Sequence, residues 1–107
     1  MAKKWRLSYL PLFYEDLNST ITYINDVLEN PQAASELLDE TEAAIKKRLP
    51  EADKYHVYNS PRKRPDPYYM IPVKNFMVFY VVIETDTEKI MEVRRFLYKR
   101  RNIGKLI

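Results

Sequence analysis

The run Phe76-Met77-Val78-Phe79-Tyr80-Val81-Val82-Ile83 constrains the fold more than any other stretch of this chain. It is β-branched and aromatic, too short and too apolar for a surface helix, and so predicts a central strand buried on at least one full face. Thr85-Asp86-Thr87-Glu88 supplies a turn, and a second run from Ile90 to Tyr98 returns beside the first. Strand side chains alternate between faces, so Met91, Val93 and Leu97 are expected to point one way and Glu92, Arg94, Phe96 and Tyr98 the other. One face then packs, while the other carries a cationic rim that continues through Lys99, Arg100 and Arg101.

Upstream, Lys4 to Leu10 alternates well enough for a short strand, with Trp5, Leu7 and Tyr9 on one side. Pro11 suits the first turn of a helix, where its missing donor costs nothing. Phe13, Leu17, Ile21, Ile24 and Leu28 form one helical stripe; Asn30-Pro31 breaks it, and Ala34, Leu37, Leu38, Thr41, Ile45 and Leu49 form a second. The short break makes the two helices an antiparallel hairpin. Lys54 to Tyr58 reads as a short strand or an extended lead, and Asn59 to Pro67 as an exposed, proline-rich basic loop. Tyr68 to Val73 resumes as a strand whose Pro72 suggests an edge, an end or a bulge, and Lys74-Asn75 links it to the central run. Asn102 to Ile107 is expected to be a helical turn or a mobile tail.

The expected fold class is α+β, as one domain over residues 1–107. An N-terminal strand, an antiparallel helical hairpin and a three-stranded antiparallel meander form one sheet, with both helices on one face and the opposite face open for binding.

Composition narrows the function classes. Cysteine is absent, which excludes a disulfide framework and a thiolate metal site and fits a reducing compartment. No stretch resembles a signal-peptide core or a membrane span, so a cytoplasmic location is expected. The net charge of +3 hides a division: residues 11–53 hold ten acids and three bases, residues 54–107 twelve bases and five acids. The basic half suggests an anionic partner, nucleic acid or an acidic protein segment.

Each candidate residue also has a structural reading. The acidic outer faces of both helices read as solvated, and Glu36, Asp39, Glu40 and Glu42 of the second do not converge on one point. His56 has no neighbouring carboxylate or second ligand in sequence, which favours a structural or surface role; neither metal nor cofactor is implied. Arg62, Lys63 and Arg64, held extended between prolines, are either a solvated loop or phosphate ligands. Tyr98 follows an arginine-bearing strand and precedes three cations, where a phenol can meet nucleic acid or a carboxylate.

The strand, the helical hairpin broken by Asn30-Pro31, the pattern Asn75-Phe76-Met77-Val78-Phe79-Tyr80 and the ending Val93-Arg94-Arg95-Phe96-Leu97-Tyr98-Lys99-Arg100-Arg101-Asn102 together resemble the RelE/ParE superfamily of bacterial type II toxins. The resemblance covers nearly the whole chain. It implies a growth-inhibiting α+β toxin neutralised by a cognate antitoxin that covers its basic groove, with no small-molecule substrate and no membrane partner. In the branch that cuts mRNA on the ribosome, some members carry an arginine near the position of Phe76 and a histidine where this chain has Leu97. Both are missing, although Tyr98 matches the family tyrosine and Arg94 or Arg95 can supply phosphate charge. The ending Phe96 to Asn102 resembles the ParE branch instead, whose studied members poison DNA gyrase.

Two functions of different class therefore stand. In the first, a ParE-like toxin binds a target such as gyrase without chemistry, using Arg62, Lys63, Arg64, Arg94, Arg95, Tyr98, Lys99, Arg100 and Arg101 toward target or antitoxin. In the second, a ribosome-dependent endoribonuclease uses Arg94 and Tyr98 at the scissile phosphate.

Overall fold

The computed structural model describes residues 3–58, 66–101 and 103–107. Strand β1 (Lys4–Tyr9) leads into helix α1 (Pro11–Thr22), which continues as a π-turn over Tyr23–Val27. Helix α2 (Pro31–Arg48) follows, extended by a 3₁₀ segment (Leu49–Lys54). Strands β2 (Val57–Tyr58), β3 (Tyr68–Val73), β4 (Phe76–Glu84) and β5 (Glu88–Tyr98) come next, and α3 (Ile103–Leu106) closes the described chain.

The α+β class and the antiparallel β3-β4-β5 meander hold, but the sheet has five strands, in the order β1-β5-β4-β3-β2. Val57 and Tyr58 pair with Tyr69 and Tyr68, so the stretch that the sequence leaves as a strand or an extended lead ends in an edge strand. That strand stops short of Pro72, which therefore lies where β3 has a partner on one side only, the situation a residue without an N–H tolerates. At the other edge β1 runs parallel to β5, from Lys4 opposite Glu88 to Tyr9 opposite Val93.

Both helices pack on one face. Asn30 caps α2 by accepting from the Ala33 amide at 3.1 Å, with Pro31 in the first helical turn. Phe13 and Leu17 of α1 and Leu37 and Ile45 of α2 are buried against Val78, Tyr80, Met91, Val93 and Phe96 of the sheet. The predicted stripes fail at two positions. Leu28 is exposed because the π-turn, in which its amide reaches back five residues to the Tyr23 carbonyl at 3.1 Å, adds a residue and rotates the end of the stripe outward. Leu38 is exposed on α2, outside the row Ala34, Leu37, Thr41 and Ile45 that faces the core.

The opposite face is not open, contrary to the expectation from sequence. Tyr68, Met77, Phe79, Val81 and Leu97 form a second cluster there, closed by Ile107 with Ile103 and Leu106 of α3 packed against it. The run from Phe76 to Ile83 is thus buried on two faces, its side chains alternating between the clusters.

A β-bulge changes the facing of β5. Val93 opposes Tyr80 but Arg95 opposes Phe79, so Arg94 is an extra residue on β5. Strict alternation predicted that Leu97 shares the face of Met91 and Val93, with Phe96 opposite. Instead Met91, Val93 and Phe96 lie on the helix side and Leu97 on the second face. The inserted residue reverses the parity of everything beyond it.

Candidate functional site

The end of β5 and the end of α1 diverge and leave a groove between them. Where they touch, Asp16 binds Arg95 through both carboxylate oxygens, at 2.7 Å to Nε and 3.1 Å to Nη2, and accepts the Phe96 amide at 3.0 Å. Beyond that contact the groove widens to about 650 Å³, with Ser19, Thr20, Tyr23 and Ile24 on one wall and Phe96 and Tyr98 on the other. That size falls in the range of ligand sites.

The apolar wall is an aromatic row. Phe13 meets Phe96 edge-on with centroids 6.3 Å apart, Phe96 stacks on Phe76 at 4.9 Å, and Phe76 touches Tyr98 at 5.5 Å. The row runs from the core to a phenol that is 39% exposed at the groove mouth. Phe76, where the mRNA-cutting reading lacks its arginine, packs against Tyr98.

The mouth is basic. The Lys99 amide bonds the Asn75 carbonyl at 2.9 Å and the Arg101 amide bonds the Tyr98 carbonyl at 3.0 Å, which turns the chain sharply after β5. Lys99, Arg100 and Arg101 are exposed on that turn, none is ion-paired among the described residues, and Arg101 lines the groove.

Arg94 and Arg95 lie elsewhere. Arg94 belongs to the second face, its guanidinium 5.9 Å from the Tyr68 ring and 2.9 Å from Glu92 Oε1. Burial works against its charge, but hydrogen bonds with Tyr68 and Glu92 outweigh this and hold its pKa above the ordinary value. Arg95 shares the face of Phe79, reaches round the strand edge to Asp16, and also donates to the Leu106 carbonyl of α3 at 3.3 Å. The structure therefore brings Tyr98 together with Arg101 at one groove and places Arg94 on the other side of the sheet from Tyr98. His56 is exposed just before β2, while Arg62, Lys63 and Arg64 lie outside the described residues.

Sequence reasoning missed Asp16, treating the acids of the helical hairpin as a solvated face. Its one signal is position: Asp16 is three residues after Phe13 and adjacent to Leu17, so it flanks the buried stripe rather than opposing it.

The profile of the family described as "ParE toxin of type II toxin-antitoxin system, parDE" matches residues 7–103, nearly the whole chain and every element of the groove. The chain belongs to the ParE toxin family. Among solved structures, this ParE-family chain is similar to one described as "Chromosomal ParDE TA system from P. aeruginosa", with a TM-score of 0.70 and 15% identity over 91% of this chain and 98% of that one. At that identity the likeness concerns the fold. No curated protein matches the sequence. The aromatic row and the basic mouth are thus placed on a ParE scaffold by this chain's own residues. Among the described residues no helix is long and apolar enough to cross a membrane.

Proposed function

We propose that this ParE-family toxin inhibits growth in the cytoplasm by binding a protein target such as DNA gyrase, and that a cognate antitoxin neutralises it. One observation carries the preference for binding over cleavage. Transfer of a ribose 2′-hydroxyl onto the adjacent phosphate needs a base, an acid and fixed positive charge around one phosphate. The two residues with the best claim to that work, Arg94 and Tyr98, lie on opposite faces of the sheet, Arg94 engaged with Glu92 and Tyr68 and Tyr98 packed on Phe76. An apolar groove whose mouth carries cations that are not ion-paired among the described residues instead suits a surface inhibitor.

The deciding experiment runs two assays on the purified protein, gyrase supercoiling and mapping of mRNA 5′ ends in a translating bacterial extract. Inhibited supercoiling with intact mRNA supports the proposal. New 5′ ends within codons, dependent on translation and abolished by Arg94→Ala, would instead make the chain a ribosome-dependent endoribonuclease.

A further inference from the structure

We propose that a second copy of this chain docks on the outer edge of β1, antiparallel to it and two-fold symmetric about Leu7, so that one sheet runs through both copies. This interface does not depend on the toxin reading.

The outer edge of β1 is unpaired along its length. β1 ends the sheet order, and among the described residues β5 is its only neighbouring strand. The Leu10 amide bonds the Val93 carbonyl at 2.9 Å, in step with the parallel register that sets Tyr9 opposite Val93. In a parallel ladder alternate residues of a strand address the same neighbour. Ser8 and Arg6 therefore also bond β5, whereas Trp5, Leu7 and Tyr9 direct their N–H and C=O groups outward. None of those outward groups has a partner among the described residues. Such an edge is a template for another strand.

The side chains of the same residues are also unfinished. Trp5, Leu7 and Tyr9 lie on the helix side, packed against the core yet only half-buried. Next to them Tyr14 and Leu38, 49% and 42% exposed, border a cleft of about 270 Å³ that Tyr9 also lines. An apolar strip thus follows the open edge.

Self-complementarity identifies the occupant. Opposite residues of an antiparallel pair share a face, so an axis between two residues would set Leu7 against Arg6 or Ser8, whereas an axis through a residue keeps apolar with apolar. An axis through Leu7 sets Leu7 opposite Leu7, Trp5 opposite Tyr9 and Arg6 opposite Ser8. Every outward N–H and C=O of Trp5, Leu7 and Tyr9 then meets its counterpart in the second copy. An axis through Arg6 would bring the two Arg6 side chains into a close pair that lacks hydrogen bonds, where like charges repel. The Leu7 axis also seats the second copy's Trp5 beside Tyr9, at the border of the cleft. The edge makes no call for an acidic segment, since Arg6 is already paired with Glu88 at 3.2 Å and Lys3 with Glu84 at 2.6 Å.

Amide hydrogen exchange and cross-linking of the full chain, without antitoxin, test this. As concentration rises, the Trp5, Leu7 and Tyr9 amides should slow by at least about tenfold, while those of Arg6 and Ser8, already bonded to β5, stay constant. A chain that stays monomeric in sedimentation up to about 1 mM overturns the proposal. Because the chain has no cysteine, single substitutions report the register. Leu7→Cys should oxidise to a covalent dimer, since a hydrogen-bonded pair holds its Cα atoms about 5.5 Å apart, within disulfide range. Arg6→Cys, offset from its own copy by two residues, should cross-link at least about tenfold more slowly. Faster cross-linking of Arg6→Cys overturns the Leu7 axis. The exchange pattern of the wild-type chain decides the matter even if Leu7→Cys fails to fold. Amides of Trp5, Leu7 and Tyr9 that slow only when the cognate antitoxin is added would assign the edge to the antitoxin and overturn the second copy as occupant.

Discussion

Asp16 and Arg95, 79 residues apart in sequence, meet in a two-point ion pair that also caps the free Phe96 amide, so one carboxylate fixes α1 to the edge of β5 where β1 no longer covers it. Through the Arg95 bond to the Leu106 carbonyl, the same pair reaches α3 on the other face. Both side chains are largely buried, at 11% and 15% exposure. Removing one partner of such a pair leaves the other charge without compensation. Asp16→Ala should therefore destabilise the chain by about 2–4 kcal/mol, and Asp16→Asn by somewhat less. Urea denaturation measures both, and a loss within ±0.5 kcal/mol would show that the pair is dispensable.

Tyr80 is fully buried, donates to the Ala52 carbonyl at 2.8 Å and accepts from Arg48 at 3.1 Å, tying β4 to the end of α2. Burial raises its pKa, and the Arg48 hydrogen bond only partly opposes this. A folded-state pKa above the unfolded value means stability that is full below the unfolded pKa, about 10, and is lost as pH rises through the folded value. Tyr80→Phe should cost about 1–3 kcal/mol at neutral pH and make the alkaline fall in stability shallower. Urea midpoints measured between pH 8 and about 11 would show both effects.

On the acid side, the hydrogen bond from Lys89, 2.7 Å long, lowers the pKa of Asp53. Its contribution is present above the unfolded carboxylate pKa and disappears as pH falls through the lower folded value. The pair is partly exposed, so Asp53→Asn should change neutral stability little while flattening the acid limb of the profile.

Ile107 is fully buried among Phe79, Val81 and Leu97. Ile107→Ala should destabilise by about 2–4 kcal/mol and increase binding of a hydrophobic dye as the second face loses its cover. Stability that drops without dye binding would mean that α3 stays docked.

At the groove mouth, Arg100→Glu with Arg101→Glu should weaken antitoxin binding by at least about tenfold and reduce its salt dependence, with no change in melting temperature since both side chains are exposed. Titrations at two ionic strengths check this. Tyr98→Phe should retain toxicity, because the ring packs on Phe76 and the proposal assigns no proton transfer to the hydroxyl. Growth assays after induction of the variant would reveal the opposite.

Local pattern alone determined the long elements of this chain, while it left Lys54 to Tyr58 and Asn102 to Ile107 open. The period of the Phe13 and Ala34 stripes, the Asn30-Pro31 break and the unbroken run to Ile83 specified two helices and a central strand, because periodicity and capping depend on neighbours in sequence. The order of elements and the closing basic run were enough to suggest the family. Tertiary structure decided what the pattern leaves undetermined. The extra residue at Arg94 is invisible to an alternating pattern, since a bulge exists only relative to the strand opposite, yet it separates Arg94 from Tyr98. Whether Asp16 is solvent-facing or a clamp depends on where β1 stops beside β5, a distance in space rather than in sequence. The second face is closed because a short apolar tail found an apolar sheet, and long-range burial of that kind leaves no periodic trace in the tail itself.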